Sequence, residues 1–362
     1  MKKKKKIVVA MSGGVDSSTV AAMLVEQGHE VIGITLQLYD VNKVGVKRGS
    51  CCAGIDIYDA KNVANKLGIP HYVLDYQSKF KQAVIDDFAD TYLRGETPIP
   101  CVKCNQTVKF SDLYKMAQDL GADSLATGHY VKKVQGEKGP ELHRGMDPQK
   151  DQSYFMFVIN SEQLGYLEFP LGGYSKQETR TLAKQYCLEV ADKPDSQDIC
   201  FVPDGNYANI IEKLRPGALD KGNIVDAEGN ILGTHQGIIN FTVGQRKGLG
   251  ISDPEPYYVI KIQPATNTIV VGREEDLKQK IFYIKDTNWL TDEDTFDQRV
   301  NTAVKIRSTH EPQKASIYKD TKNGLYVVEL AEPQKSITPG QACVAYDGDK
   351  VLGGGWITFQ NS

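Results

Sequence analysis

The sequence predicts an α/β fold: a parallel, doubly wound sheet, followed by a small central domain and a carboxyl-terminal β-barrel-like domain. In the first half, short apolar strands alternate with helical stretches, which is typical of a parallel sheet covered by helices. From Gly217 onward the helical periodicity disappears, and turn residues separate β-branched runs. The 362 residues are too many for one ordinary core.

The elements of the first half can be placed in order along the chain. Apolar runs predict strands at residues 7–10, 30–36, 71–74 and 124–127. Helical spacing predicts helices at residues 19–26, 56–67 and 80–94, and another through Phe110, Leu113, Ala117 and Leu120. Gly68 and Gly121 stop two of these helices.

The second half is predicted to begin with one helix and then to be mostly β. Ser175 and Glu178 form a capping box that opens a helix running to Cys187. Turns between β-branched runs are predicted at residues 226–230, 263–268 and 321–324. We therefore expect domains at residues 1–212 (with a helical excursion near 163–194), 213–275 and 276–362.

Composition limits the classes of function. Forty per cent hydrophobic and 25% charged residues are typical of a soluble globular protein, and no stretch approaches the roughly 20 apolar residues of a membrane span. Lysines 2–6 and the short apolar run after them do not make a signal peptide, so we expect a cytoplasmic protein. Seven cysteines favour metal or redox chemistry over a disulfide framework. The net charge of −3 gives no global attraction for nucleic acid.

The segment M-S-G-G-V-D-S-S, residues 11–18, joins the first strand to the first helix. Small residues let the backbone approach an anion, and the amides and dipole of the following helix favour phosphate there. The loop has no lysine, so it is not the G-x-x-x-x-G-K-[ST] loop. Asp16 fits beside an anion only if Mg²⁺ bridges the two. The S-G-G-x-D-S pattern resembles the pyrophosphate loop of enzymes that split ATP between its α and β phosphates and adenylate a carbonyl oxygen.

Two cysteine segments are candidates for a nucleophile. Cys104 ends the run T-P-I-P-C-V-K-C, predicted to be a loop just before a helix, where the dipole would lower the pKa of a thiol. Cys200 stands alone in D-S-Q-D-I-C-F-V. Cys101-x-x-Cys104 could be a redox or metal pair. The sequence has no second C-x-x-C and no histidine pair at zinc spacing, so it does not predict a structural zinc site. We expect Cys187 and Cys343 to be small buried residues and favour the same for Cys51 and Cys52, although these two lie near Lys47 and Arg48.

Several further motifs, in the same order, make the chain similar to bacterial tRNA-specific 2-thiouridylases over nearly its whole length. These enzymes replace the C2 oxygen of the wobble uridine with sulfur. The matching segments are Ala10 to Ser17, T-P-x-P-x-x-x-C-N ending at Asn105, A-T-G-H-Y (126–130), K-D-Q-S-Y-F (150–155), D-S-Q-D-I-C-F through Cys200, F-T-V-G-Q-R-K-G-L-G (241–250) and L-G-G-G-W-I (352–357).

The resemblance implies roles for particular residues. Cys104 would be the nucleophile, Cys200 would receive the persulfide sulfur, and the two could form a disulfide during turnover. ATP, with Mg²⁺, would contact Ala10, Met11, Ser12, Gly13, Gly14, Val15, Asp16, Ser17, Leu36 and Gly128. The tRNA, through its anticodon stem-loop, would contact Ile99, Pro100, Cys101, His129, Lys150, Asp151, Gln152, Arg307, Ser308 and Gln341. A persulfide sulfur-donor protein, a desulfurase or a relay, would be a further partner.

Four alternatives stay open at this point. The basic residues from Lys132 to Lys150 either track tRNA phosphates or belong to an exposed hairpin. Many family members have an aspartate where this chain has Cys101, so Cys101, Cys104 and Cys200 could hold an iron–sulfur cluster, although a cluster-free persulfide mechanism is favoured. The same loop also serves amide-forming ligases, which need no cysteines. A non-enzymatic RNA-binding protein would leave the loop unexplained.

Overall fold

The computed structural model describes residues 3–39, 54–195, 199–202, 205–292 and 294–359. The chain divides into two compact units. Unit 1 comprises residues 1–84, 101–205 and 349–351, and unit 2 comprises residues 85–100, 206–348 and 352–362. The predicted domain boundaries near residues 212 and 275 stay predictions.

Unit 1 is built on a parallel sheet, as the sequence predicts, and the sheet has five strands, four of which were predicted. The strands are β1 (Lys6–Ala10), β2 (Glu30–Gln37), β3 (His71–Asp75), β4 (Ser124–Ala126) and a short β7 (Leu167–Glu168) that was not predicted. Their order across the sheet is β3-β2-β1-β4-β7, and every pair is parallel. In such a sheet the loops that follow adjacent strands meet at one edge, which is where ligands bind.

The helices of unit 1 and the adjoining segments follow the predicted order. They are α1 (Val15–Glu26), α2 (Ile55–Leu67), α3 (Gln77–Phe80), a π-helical turn (Lys81–Ile85), α4 (Asp86–Leu93), α5 (Pro100–Cys104), a π-helical segment (Asn105–Leu113), α6 (Tyr114–Asp119), α7 (Ser161–Tyr166) and α8 (Lys176–Gln185). The capping box of Ser175 and Glu178 opens α8 as predicted.

The core of unit 1 lies between the sheet and the helices α1, α2 and α8. Val9 of β1, Val20 and Ala21 of α1, Ala60 of α2 and Ala183 of α8 are all fully buried in one cluster. The small residues on these helices allow close packing against the sheet. This packing fixes the end of β1 and the start of α1, between which the glycine loop lies.

A hairpin in unit 1 carries most of the basic residues noted in the sequence. Strands β5 (Val131–Gly136) and β6 (Gly139–Arg144) pair in antiparallel register. Several of these side chains have acidic partners: Lys133 is 3.3 Å from Glu168, His143 is 3.0 Å from Glu141, and Arg144 is 3.4 Å from Asp151. Several of these charges are thus already paired within the unit, and contact of the hairpin with tRNA phosphates stays a prediction.

From Gly217 onward unit 2 is mostly β, as predicted, whereas the helix α9 (Tyr207–Leu214) before it was not predicted. A four-stranded sheet in the order β10-β11-β8-β9 is formed by β8 (Lys221–Val225), β9 (Ile231–Gln236), β10 (Tyr258–Gln263) and β11 (Thr268–Gly272). The predicted turns at residues 226–230 and 263–268 join β8 to β9 and β10 to β11. No helix among the described residues is long and apolar enough to cross a membrane.

The last six strands close into the predicted β-barrel. They are β12 (Lys278–Trp289), β13 (Val300–Lys305), β14 (Gln313–Lys319), β15 (Tyr326–Lys335), β16 (Ala342–Asp347) and β17 (Lys350–Thr358). Their order is β12-β15-β14-β13-β16-β17, and pairing of β12 with β17 closes the ring. Phe282, Phe296 and Ile357 are fully buried inside it.

Candidate active site

The glycine loop between β1 and α1 adopts a conformation that few other residues could adopt. Gly13 has φ +74°, and a Cβ atom there would lie 2.0 Å from the backbone oxygen of Asp56. Gly14 is the N-cap of α1, and no described side chain caps the helix at that point. The first amide groups of α1 are therefore available to an anion, as the sequence analysis proposed.

Hydroxyl groups fix the shape of this loop from within. The Ser12 amide donates to Ser17 Oγ at 3.1 Å, and the two hydroxyl oxygens are 3.2 Å apart. Ser17 lies inside the first turn of α1 and is buried. Gly128 packs against the same turn, since a Cβ atom there would lie 3.0 Å from the Ser17 amide nitrogen. Leu36 lies on β2 and is partly buried.

Asp16 has a protein cation as its partner. Lys176, the first residue of α8, places its Nζ atom 2.7 Å from Asp16 Oδ1 and 2.9 Å from Oδ2. The hydroxyl of Tyr130 also donates to Oδ1, at 2.8 Å. Burial raises the pKa of Tyr130, and the charge of Asp16 raises it further, so this donor keeps its proton. The sequence predicts a cation at Asp16, but in the form of Mg²⁺, and nothing in it indicates Lys176.

Asp195 joins this group from the segment that leads to Cys200. Its carboxylate is 2.7 Å from Lys176 Nζ, 2.8 Å from Lys150 Nζ and 3.1 Å from Arg180 Nη2. Burial alone would raise the pKa of Asp195, but the hydrogen bonds from Lys150 and Lys176 outweigh it and lower the pKa. The carboxylate is therefore ionised and shares three cations.

Lys193 holds the glycine loop from the other side. Its Nζ atom donates to the carbonyl oxygen of Gly13 at 3.0 Å and to Asp56 Oδ1 at 2.6 Å, and it also contacts Asp59. Burial would lower the pKa of Lys193, but the two aspartates raise it above its usual value. This lysine was also missed by sequence reasoning, because its partners lie more than 130 residues away.

Cys104 does not have the environment that the sequence predicted. The run before it is helical rather than a loop: α5 begins at Pro100 and continues directly into the π-helical segment Asn105–Leu113, so Cys104 lies inside a continuous helical stretch. Proline fits the first turn of a helix, where its missing N–H costs nothing. Cys104 is only 7% exposed, and burial raises its pKa, with Lys109 acting in the opposite direction and Cys101 adding to the increase. The expectation of a standing thiolate is therefore wrong for this structure.

The residue after Cys104 anchors the same segment. Asn105 is buried, and its Nδ2 atom donates to the Phe155 carbonyl oxygen at 3.1 Å. Phe155 belongs to the K-D-Q-S-Y-F segment, so two of the motifs noted in the sequence meet here. Their contact fixes the position of the helix that carries Cys104.

Cys200 lies at the surface of an aromatic cluster. It is partly exposed, and its carbonyl oxygen accepts a 2.6 Å hydrogen bond from Tyr39. Its neighbour Phe201 packs edge-on against Phe80, with ring centroids 5.9 Å apart. Three residues of the motif, Ser196, Gln197 and Asp198, lie outside the described residues.

The remaining cysteines have different environments. Cys343 is buried in the barrel as expected, and burial raises its pKa. The expectation of burial is wrong for Cys187, which is exposed with φ +54° because it follows the end of α8. Cys101 is exposed, and the described residues contain no group of three His, Cys, Asp or Glu side chains that could hold a metal ion. Cys51, Cys52, Lys47 and Arg48 lie outside the described residues.

The predicted tRNA contacts in unit 1 have partners within the unit. Asp151 accepts from the amides of Gly145 and Ser153, both at 3.1 Å, and its side chain is 1% exposed. Gln152 accepts from the Tyr130 amide at 2.9 Å, and Lys150 pairs with Asp195. Burial lowers the pKa of His129 to about 3, so its ring is neutral near pH 7. These residues shape the site from within.

The predicted tRNA contacts in unit 2 are similarly engaged. Ile99 and Pro100 are buried. Arg307 donates from Nη2 to the Ser336 carbonyl oxygen at 2.7 Å, and Gln341 donates from Nε2 to the Thr97 carbonyl oxygen at 3.1 Å. Ser308 is partly exposed. Contact with tRNA by any of these residues stays a prediction.

Three protein-family models match successive parts of the chain. They are the tRNA methyl transferase HUP domain over residues 5–204, the tRNA methyl transferase PRC-barrel domain over residues 209–273 and the aminomethyltransferase beta-barrel domain over residues 279–357. The second and third descriptions agree with the small β sheet and the closed barrel of unit 2.

Curated relatives match along nearly the whole length. The tRNA-specific 2-thiouridylase MnmA of Rickettsia peacockii (strain Rustic) is 62% identical over 356 residues, which covers 98% of this chain and 97% of the relative. The enzyme of the same name from Rickettsia bellii (strain OSU 85-389) is 62% identical over 352 residues, covering 97% and 96%. The solved structure of NMN synthetase from Francisella tularensis is 17% identical with a TM-score of 0.35, covering 59% of this chain and 77% of its own, which supports no functional argument.

Proposed function

Because this chain belongs to the tRNA-specific 2-thiouridylase family, we propose that it transfers sulfur to C2 of the wobble uridine, position 34, of tRNA in an ATP-dependent reaction. The observation that carries the proposal is the uncapped glycine loop at the start of α1, in the same unit as Cys104 and Cys200. A loop for phosphate and two cysteines are what the reaction requires.

The loop supports the first half of the reaction. The C2 oxygen of uracil is a poor leaving group, and its attack on the α phosphate of ATP converts it to an adenylate with release of pyrophosphate. The free amides of α1 are suited to that pyrophosphate. Mg²⁺ is proposed to enter as part of the MgATP substrate, since the loop's carboxylate, Asp16, already has Lys176 and Tyr130 as partners.

The two cysteines support the second half. We propose that a donor protein leaves a persulfide on Cys200, and that sulfur then reaches C2 while AMP departs. In one route the terminal sulfur attacks C2, AMP leaves, and Cys104 then attacks the Cys200 sulfur, which breaks the S–S bond and leaves the terminal sulfur on C2. In the other route Cys104 attacks the Cys200 sulfur first and releases hydrosulfide, which then attacks C2 and displaces AMP. Both routes leave a Cys104–Cys200 disulfide, which two electrons from a thiol reductant return to the starting state.

The burial of Cys104 has a consequence for this order of events. A thiol with a raised pKa is protonated near pH 7 and reacts slowly with solvent oxidants. Lys109 is the cation that favours its thiolate. We propose that Cys104 becomes reactive only when substrate has entered, whereas partly exposed Cys200 can meet a donor protein beforehand.

Binding of the substrates is proposed from the family membership. The tRNA would present its anticodon stem-loop, with the wobble base splayed out of its stack. The cluster-free persulfide route is proposed over the iron–sulfur alternative, because Cys101 is exposed, Cys104 is buried, and no three-ligand group occurs in the described parts of the chain. ATP and tRNA are cytoplasmic substrates, so we propose that the enzyme acts in the cytoplasm.

Substitution of the cysteines tests the proposal. With ³⁵S-labelled persulfide donor, Cys200→Ser should bind tRNA and transfer no sulfur, whereas Cys104→Ser should retain label on Cys200 without completing the transfer. The control is Cys187→Ser, at an exposed cysteine that lies outside both motifs, which should behave as wild type. Label on Cys104 in Cys200→Ser, with none on Cys200 in Cys104→Ser, would reverse the two roles. Full activity in both variants would instead favour a ligase.

A further inference from the structure

We infer that Lys176 binds the pyrophosphate end of ATP and supplies the ammonium group that the glycine loop lacks. This inference rests on the proposed function and adds a substrate-binding residue to it. The loop, residues 11–18, contains no basic residue. Lys176, 160 residues further along the chain, brings its Nζ atom to 2.7 Å from Asp16 in the first turn of α1. In other phosphate loops a lysine within the motif contacts the same part of the nucleotide.

The hydrogen bonds of Lys176 are fully used in this structure. An ammonium group has three N–H donors, and Nζ has three acceptors within 2.9 Å: both carboxylate oxygens of Asp16 and one of Asp195. A phosphate oxygen can therefore bind Lys176 only if one of the three is released. Binding of the anion becomes an exchange of partners.

The other contacts of the two aspartates determine which bond is released. Asp195 keeps two further cations, with Lys150 at 2.8 Å and Arg180 at 3.1 Å. Asp16 keeps one neutral donor among the described residues, the hydroxyl of Tyr130. Loss of Lys176 therefore costs Asp195 less than it costs Asp16. We expect Lys176 to stay on Asp16 and to exchange Asp195 for a phosphate oxygen.

The environment of Lys176 suits an anion. Lys150, Lys176 and Arg180 place three cations beside Asp16 and Asp195, while a third carboxylate, that of Asp147, accepts from the Lys176 amide at 3.0 Å. The Lys176 side chain is 12% exposed, so a charge brought to it is weakly screened by water. The uncapped amides of α1 begin in the same turn as Asp16. Amides and ammonium group together form a site for the two phosphates that leave.

Binding of pyrophosphate, ATP and AMP to the full chain tests this inference by titration calorimetry. Lys176→Met should weaken the binding of pyrophosphate and of ATP by about tenfold or more. The affinity for AMP, which lacks the two outer phosphates, should stay nearly unchanged. Lys176→Arg should recover part of the loss. The matched control is Lys184→Met on the same helix, whose exposed ion pair with Asp192 should be irrelevant to all three ligands.

A second variant tests the exchange itself. Asp195→Asn frees one donor of Lys176 and removes a negative charge beside it, so the affinity for pyrophosphate should increase severalfold. The inference would be overturned if Lys176→Met weakened the binding of all three ligands equally or weakened none of them. Unchanged or weaker pyrophosphate binding in Asp195→Asn would also overturn it. The proposed function fails separately, if the wild-type chain neither binds ATP nor releases AMP.

Discussion

The Nζ atom of Lys193 donates a 3.0 Å hydrogen bond to the carbonyl oxygen of Gly13. The same atom pairs with Asp56 and Asp59 on α2, so one lysine joins the glycine loop to the neighbouring helix. Because the Lys193 side chain is only 18% exposed, water could not fully replace these contacts if the lysine were removed.

Lys193→Met should destabilise the protein and disturb the loop. It leaves two partly buried carboxylates without their cation, and we expect the free energy of unfolding to fall by about 2 kcal/mol. Urea unfolding with Lys184→Met as the control measures this, since that variant removes an exposed ion pair on α8. Equal stability of the two variants would show that Lys193 does not hold the loop.

Gly13→Ala should abolish AMP formation, whereas Gly28→Ala should not. Both glycines have positive φ, +74° and +81°, so alanine is strained at either position by about 1–2 kcal/mol. At Gly13 the added Cβ also meets Asp56 O at 2.0 Å, while at Gly28 it meets nothing within 4 Å. Measuring AMP release and thermal unfolding of both variants separates the effect of backbone strain, which they share, from the effect of the clash with Asp56, which only Gly13→Ala has. An active Gly13→Ala enzyme would contradict the required close approach.

Cys104 should be alkylated much more slowly than Cys101 in the absence of substrates. The two lie on the same helix, but Cys101 is exposed, whereas Cys104 is buried with a raised pKa. Near pH 7.5 we expect iodoacetamide to label Cys101 at least about tenfold faster, and labelling of Cys104 to rise only as the pH passes the usual thiol range. Peptide mapping by mass spectrometry gives both rates. Comparable rates would mean that Cys104 is a thiolate in the free enzyme.

His129 should make the protein sensitive to mild acid. The unfolded chain takes up a proton there as the pH falls through about 6.5, whereas the folded protein, with the pKa lowered to about 3, does not. Its contribution to stability is thus complete above pH 6.5 and is lost progressively between pH 6.5 and 3. Between pH 7 and 5, the free energy of unfolding should fall by about 2 kcal/mol less in His129→Gln than in wild type. Urea unfolding at both pH values checks this, with His29→Gln as the control.

Local patterns were sufficient to predict most of the fold. The apolar run before the glycine loop, the capping box at Ser175 and the turn at residues 226–230 each determine a structure within a few residues of chain, and each was confirmed. The strand β7, Leu167–Glu168, was missed because two residues carry no periodicity. The sequence predicts a loop at Pro100, but proline also fits the first turn of a helix, and the structure has a helix there.

The cations of the site could not be predicted in the same way. Lys176 was recognised only as part of a capping box, and nothing in S-K-Q-E indicates a partner 160 residues away. Lys193 pairs with Gly13 across 180 residues. The one available signal was Asp16 itself, since a carboxylate at an anion-binding loop requires a cation. Burial of Cys104 also depends on the packing of distant segments such as Phe155, through Asn105.

Nucleoside analysis by mass spectrometry tests whether this protein thiolates the wobble uridine of tRNA. Unmodified tRNA is incubated with the protein, MgATP and a competent persulfide donor, then digested, and AMP is measured in the same samples. We expect 2-thiouridine at the wobble position in proportion to the AMP formed, and neither product with Gly13→Ala. Absence of 2-thiouridine with a donor that is active towards another sulfur acceptor, or a methylated uridine in its place, would contradict this expectation.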